Sequence, residues 1–376
     1  MLTENRLLAL TGFALIAVTY GLARFSWGLM LPDIMQNIHL SSAMAGSISS
    51  VSFTAYCVAI VFSSVCTGKT GPRFPAVLAG LFAAAGMGII ALSDTAAGMV
   101  CGVAFAGIST GLVSPPMAEA VKRKVVEKRR SVINTLINAG TGGGIIFSAL
   151  AVLFLTNNWR ATYLFFTFIT LMTVLLSLKI MPTGPDGEKF SLRQQFSAFL
   201  LPALRSPLIV AFLSGLVSAA YWTFGPVMFH SLGGMERNEI TLLWLITGVT
   251  GCAGIMTGAL INRFGVNSVH RLMQALTILS FLLLALSPHY QLLPYIVSAL
   301  YGFAYITLSG VLLVSGVNSA GSLPAAGLGA VFLMLAIGQV IGASLFGWLY
   351  DITGAAVALL LFSAVALLAM FLRAEQ

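Results

Sequence analysis

The chain has 376 residues, of which 58% are hydrophobic and only 8% charged, against about 25% charged in a typical soluble domain. This composition excludes a soluble globular protein and places nearly all of the mass in a membrane. The net charge of +8 would suit a nucleic-acid partner, but the placement of the charges argues against one.

Twelve apolar segments follow one another, at 7–31, 43–66, 74–93, 97–119, 131–155, 161–181, 207–230, 240–261, 267–287, 291–316, 325–348 and 355–372. Each reaches or approaches the ~20 residues a helix needs to cross the hydrocarbon core. The fold class read from them is an all-α membrane protein with twelve transmembrane helices. The first segment follows Arg6 and lacks a small-residue cleavage site. It is also longer than the ~7–15 residues of a signal-peptide core, so it is expected to stay as a helix.

Helix 1 carries Arg24 within its apolar run. An arginine in hydrocarbon costs about 2.5–3.5 kcal/mol on insertion scales and is retained only against water, a partner or a ligand. Tyr20, Arg24, Trp27 and Leu31 fall at i, i+4, i+7 and i+11, one helical face, while Gly21 and Gly28 mark a neighbouring small face. Pro32 is expected to end the helix, with Asp33 beyond it at the outer mouth. Arg24 would lie ~11 Å below that end at ~1.5 Å per residue. It could bind a carboxylate or phosphate through its two-pronged guanidinium, or be a structural arginine satisfied by carbonyls and polar neighbours; both readings stand.

Further along, Glu119 sits at the end of helix 4 beside Lys122 and Arg123. Proton coupling needs a titratable carboxylate in the pathway, which makes Glu119 and Asp33 the coupling candidates; an ion pair with the basic loop is the other reading of Glu119. His39, His230 and His289 fall outside or at the outer boundary, and His270 near the inner one. Helix 5 carries Asn134 and Asn138 on one face, then Gly140, Gly142, Gly143 and Gly144. Without a preceding strand these glycines read as a helix-packing surface and not as a phosphate cradle. Helix 7 offers Ser218, Tyr221 and Trp222 near the midplane, helix 10 offers Tyr301 and Tyr305, and helix 11 offers Gln339. Aromatics with polar tips suit a cavity for an amphipathic substrate, although helix packing would also use them. Trp159, Trp348 and Tyr350 read as residues of the interfacial belt.

The four cysteines, Cys57, Cys66, Cys101 and Cys252, are scattered singly and read as core residues, not disulfides or ligands. No nucleophile, base and orienter arrangement, metal cluster or Walker lysine motif occurs. An enzyme, an ATP-driven pump, a metal or a cofactor is therefore not expected.

With the N-terminus inside, sixteen of the nineteen Lys and Arg residues fall on the cytoplasmic side, Arg160 and Arg237 fall outside, and Arg24 lies within the membrane. This positive-inside bias places both termini in the cytoplasm. The run from Lys122 to Arg130 then reads as an orientation determinant beside anionic headgroups, not a nucleic-acid arm. The polar stretch 182–206 reads as a cytoplasmic linker between an N-terminal half, 1–181, and a C-terminal half, 207–376. Ser191 to Leu201 within it could form a short interfacial helix. The halves repeat: Ser64 to Gly71 matches Gly258 to Gly265 at an offset of 194, and the same offset carries Pro32 onto Pro226 and Arg24 onto Ser218.

Gly258-x-x-x-Asn262-Arg263-x-Gly265 resembles the helix 2–3 loop signature of the major facilitator superfamily, with Asn in place of Asp, and Lys69 and Gly71 keep a fainter copy. Tyr56, Gly107 and Gly111 ahead of Pro115, Trp159-Arg160, and Gly347-x-x-x-Asp351-x-x-Gly354 are further echoes in the expected order. Gly21-Leu-Ala-Arg24-Phe25 also resembles a bacterial subfamily with Gly-x-x-Arg-Phe in helix 1. The resemblance implies two pseudo-symmetric six-helix halves, a central cavity lined chiefly by helices 1, 4, 7 and 10, and alternating access by rocking. It makes Lys69, Arg73, Asn262 and Arg263 a conformational gate, with Asn262 accepting hydrogen bonds where the family has a carboxylate. The Gly-Pro step of proton-coupled drug exporters is missing from helix 5.

The function expected is secondary active transport of a small organic molecule across a bacterial inner membrane. Export of an anionic or amphipathic metabolite or antibiotic is favoured over organic anion uptake or a non-transporting receptor. The expected partners are a small-molecule substrate, the lipid bilayer and protons as a coupling ion, with no nucleic acid and a monomeric state. Arg24, Tyr20, Trp27, Asn138, Ser218, Tyr221, Trp222, Tyr301, Tyr305 and Gln339 form the substrate-binding set.

Overall fold

A computed structural model describes residues 2–154, 158–184, 197–321 and 323–375. The described residues are almost wholly helical and contain no strand. Eleven helices are long and apolar enough to cross a membrane: α1 (Asn5–Ile38), α2 (Ser42–Thr70), α3 (Arg73–Leu92), α4 (Ala96–Lys124), α5 (Glu127–Phe154), α6 (Trp159–Ile180), α7 (Pro202–Ser231), α8 (Arg237–Phe264), α9 (Val266–Ala285), α10 (Leu293–Ser319) and α11 (Ala326–Thr353). The shorter α12, Ala355–Phe371, completes the twelve.

Pro32 does not end α1, which runs on to Ile38, so Asp33 lies within its last turns. Pro226 likewise lies inside α7. Proline removes one N–H and clashes with one carbonyl, a local cost that a helix embedded among neighbours can absorb. Of the interfacial helix expected at 191–201, residues 191–196 lie outside the described residues. Ala198–Leu200 forms a single 3₁₀ turn.

The chain divides into two compact units, one of Met1–Ile38 and Val51–Phe190, the other of His39–Ser50 and Ser191–Gln376. The first unit is held by helix crossings so close that only glycine fits. A Cβ on Gly21 of α1 would strike the Gly144 backbone of α5, and one on Gly144 would strike the Ala17 carbonyl. The glycine run of α5 therefore serves packing.

In the second unit the same contact recurs between α7 and α11, where a Cβ on Gly215 would meet the Leu335 carbonyl and one on Gly338 the Phe212 carbonyl. Gly21 and Gly144 map onto Gly215 and Gly338 at the offset of 194 seen in the loop signatures. Residues 39–50 also belong to this unit, although the division expected from sequence puts them with the first half. Asp351 of α11 accepts the Ser42 and Ala43 backbone N–H groups through its two carboxylate oxygens at 3.1 and 2.7 Å. This is the favourable placement of an anion at a helix start. Further along α2, the Ser50 hydroxyl donates to the Val340 carbonyl.

Consecutive helices are joined tightly by left-handed glycines: Gly71 (φ 83°) before α3, Gly265 (φ 81°) before α9 and Gly354 (φ 82°) before α12. That conformation is costly for any residue with a Cβ.

Candidate functional site

In the first unit the site is built around the middle of α1, where Ala17–Phe25 is wound as a π-helix. Such segments are rare and concentrate at functional places. The wider turn breaks the α-period, so the straight stripe expected from Tyr20 to Leu31 does not persist: Trp27 and Leu31 are buried, whereas Tyr20 and Arg24 remain half-buried.

The Arg24 guanidinium lies 4.7 Å from the Phe53 ring centre and 4.8 Å from that of Tyr56, both on α2, with Phe25 and Tyr20 at 5.7 and 5.9 Å. Four rings within ~6 Å make an aromatic cage that stabilises a cation where water is excluded. Tyr20 shares a 3.2 Å hydrogen bond with Ser114 of α4, so three helices converge on this place. Phe53 and Ser114 are not singled out by the sequence, and Tyr56 enters there only as a family echo.

In the second unit, Tyr221 and Tyr301 stack with ring centres 3.8 Å apart, and Trp244, Phe281 and Tyr305 extend the slab. Tyr221 and Tyr301 are fully buried. The Tyr221 hydroxyl lies 2.6 Å from Thr247 Oγ1. Since Thr247 donates its own proton to the Leu243 carbonyl, Tyr221 is the donor. Trp222 packs edge-on to Tyr305 at 5.2 Å.

Beside the slab, Gln339 Nε2 donates to Ser218 Oγ at 3.2 Å and to the Tyr305 hydroxyl at 3.1 Å. The structure thus brings Ser218, Tyr305 and Gln339 into one hydrogen-bonded group, and Tyr221, Trp222 and Tyr301 into one aromatic group. Trp244, Phe281 and Thr247 are members that helix periodicity alone does not single out.

The remaining residues of interest are dispersed. Asn138 is exposed, one residue before the break at Ala139 that divides α5. Glu119 accepts from Arg123 Nε at 2.7 Å, one turn along its own helix. Asp33 is half-buried. Lys69 is exposed at the end of α2, whereas Arg73 donates from Nε to the Met181 carbonyl at 2.6 Å. Asn262 and Arg263 are exposed at the end of α8, with Arg263 over the Phe264 ring at 5.2 Å. Among the described residues Asn262 accepts no side-chain hydrogen bond, contrary to expectation; it is exposed in the last turns of α8. All four cysteines are free, and no group of three His, Cys, Asp or Glu that could hold a metal occurs among the described residues.

Comparison with known structures places the fold. A nucleoside transporter, NupG, in a mutant form, superposes with a TM-score of 0.80 at 14% identity, covering 98% of each chain. A second NupG structure gives 0.77 at 15% identity over 98% of this chain and 97% of that one. A POT family transporter in complex with 5-aminolevulinic acid gives 0.77 at 14% identity over 97% and 94%. No curated protein sequence matches. At these identities the likeness establishes the fold and leaves the ligand open. The sequence itself goes further, because residues 13–331 match the profile of the Major Facilitator Superfamily, and the chain, a multi-pass membrane protein, belongs to that family.

Proposed function

We propose that this chain is a secondary active transporter, not an enzyme, moving a small anionic or amphipathic organic molecule across a bacterial inner membrane by alternating access. Export is the direction favoured. Arg24 carries the reading: a guanidinium caged by four rings, on a π-wound segment of a membrane-length helix. Rings stacked on a guanidinium hold its plane in place, and its N–H edges are the part that recognises a carboxylate or phosphate. Tyr20, Ser114, Ser218, Tyr305 and Gln339 supply polar tips for the rest of the molecule. Tyr221, Trp222 and Tyr301 back the Ser218–Tyr305–Gln339 group with a packed aromatic surface; Trp27, buried, and Asn138, apart from the rest, are the members of the expected set with the least support.

Both termini are cytoplasmic in this reading and the protein acts as a monomer. Asp33 and Glu119 are the carboxylates available for proton coupling, and Lys69, Arg73, Asn262 and Arg263 form the gate. Uptake of an organic anion is the second reading; a neighbouring transporter was solved with 5-aminolevulinic acid, an amino acid that carries a carboxylate beside an ammonium group.

The test is flux in proteoliposomes against a panel of carboxylates, phosphorylated metabolites, nucleosides and cationic dyes, with pH gradients of both signs. Carboxylate or phosphate flux that is lost in Arg24→Leu supports the proposal. Flux confined to cations or nucleosides and indifferent to Arg24 refutes it.

A further inference from the structure

The π-wound stretch of α1 has a counterpart in the second unit that is wound differently. At the offset of 194, Gly21 corresponds to Gly215 of α7 and Pro32 to Pro226, so the same number of residues separates the two landmarks in both units. Both glycines also sit at a crossing with no room for a Cβ, Gly21 against Gly144 of α5 and Gly215 against Leu335 of α11. Yet α7 is α-helical without interruption from Arg205 to Ser231, whereas Ala17–Phe25 of α1 is a π-helix. No extra residue forces the wider turn on α1, so contacts must hold it there.

Those contacts lie at the end of the π-wound stretch. In an α-helix the Ser26 N–H would bond the Leu22 carbonyl; here it reaches the Gly21 and Arg24 carbonyls instead. The Leu22 carbonyl, released by that amide, takes the Ser26 hydroxyl. The side chain thus stands in for the amide of its own residue, and a side chain inserted into the i→i−4 ladder is a known cause of local distortion. Ser26 Oγ lies in turn 3.3 Å from the Tyr163 hydroxyl of α6. Both residues are fully buried, and the Tyr163 ring is fixed edge-on between Trp159 and Phe166.

The second unit has neither hydroxyl, because the same offset carries Ser26 onto Ala220 and Tyr163 onto Val357. The helix with the hydroxyl pair is π-wound, and the helix of equal length without it is α-wound. The Gly215 crossing shows that such a contact is compatible with α winding as well.

We propose that the Ser26–Tyr163 hydroxyl pair holds α1 in its π winding and thereby sets the place of Arg24 among its four rings. Both are then positioning residues that act through Arg24. An i→i−5 helix turns less per residue than an α-helix, so rewinding about Gly21 swings Arg24, three residues on, away from Phe53 and Tyr56. The consequence for an anionic substrate rests on the transporter reading; the winding itself does not.

Nuclear magnetic resonance of the full chain in lipid nanodiscs, with 15N-labelled arginine, tests the winding without a substrate. Protons of a guanidinium held over ring faces resonate upfield, and the Arg24 signal is the one that disappears in Arg24→Leu. Ser26→Ala and Tyr163→Phe should each remove that upfield shift. Since the two hydroxyls act as one unit, the double variant should move the signal no further than either single change. In proteoliposomes the same variants should weaken apparent affinity for the transported anion about tenfold, the scale of one net hydrogen bond, with the maximal rate unchanged. An Arg24 signal that stays in place in either single variant overturns the proposal, as does a double variant whose shift is the sum of the two. Unchanged affinity in variants whose signal has moved, where Arg24→Leu abolishes flux, overturns the positioning role. Should Ser26→Ala not fold, Tyr163→Phe, which keeps the ring and its packing, decides alone. If the signal moves as expected while flux ignores Arg24→Leu, the winding stands and the anionic-substrate reading falls.

Discussion

Replacing Arg24 by leucine separates a binding residue from a structural tie. The cost of holding an arginine in hydrocarbon is about 2.5–3.5 kcal/mol. Against it stand two rings closer than 5 Å, Phe53 and Tyr56, each worth up to about 2 kcal/mol when desolvated. Phe25 and Tyr20 lie near the limit of the interaction and add little. The two sides nearly cancel, so Arg24→Leu, which keeps most of the volume, should change stability by less than about 1 kcal/mol. A thermal unfolding scan in detergent would then shift by no more than about 2–4 °C. Flux of the anion identified in the proteoliposome panel should nevertheless disappear. Arg24→Lys keeps a cation among the rings but loses the planar fork, and should weaken apparent affinity about tenfold. A fall of more than about 8 °C in the leucine variant, twice the shift such a small change allows, or transport with unchanged affinity, would show that Arg24 ties the helices together, and the anionic-substrate reading would lose its support.

Three other outcomes are expected. Gly144→Ala places a methyl against the α1 backbone at Ala17 and Gly21, and should cost about 1–3 kcal/mol by overpacking; a thermal midpoint equal to wild type would show that the crossing can spread freely. His270 is fully buried with neither ring nitrogen hydrogen-bonded among the described residues, so His270→Leu should be neutral or stabilise by up to about 1–3 kcal/mol, and a clearly lower midpoint would reveal a partner for the imidazole. Cysteines introduced at Lys69 and Arg263 should react with an impermeant thiol reagent only from the cytoplasmic side of the membrane; labelling of either from outside would invert the proposed topology.

Much of this protein is legible in its linear sequence because the membrane imposes a local rule. Each crossing must be a run of some twenty apolar residues that satisfies its own backbone hydrogen bonds, so helix number and order follow from run length alone. The duplication is legible for the same reason, since landmarks such as Gly71 and Gly265 recur at a constant offset. Arg24 stands out because its burial is expensive wherever the chain folds.

What lies beyond the sequence depends on contacts between distant segments. The π-wound turn of α1 does not show in the apolar pattern, and it alters which residues share a face with Arg24. Phe53 and Ser114 reach that site from α2 and α4 with nothing in their own neighbourhoods to mark them, and Tyr56, a family echo in the sequence, is placed beside Arg24 only by the packing. Pro32 could not be read as internal, because whether a proline ends a helix or is carried through it depends on the packing around the lost hydrogen bond. The grouping of residues 39–50 with α11 is set by Asp351, and the anchoring of the chain after α6 and at 375 by Arg73, Arg123 and Asn267, each meeting backbone groups far along the chain. Only tertiary packing decides which donors and acceptors meet, because a side chain's reach is a property of three-dimensional position and the hydropathy pattern records only its depth.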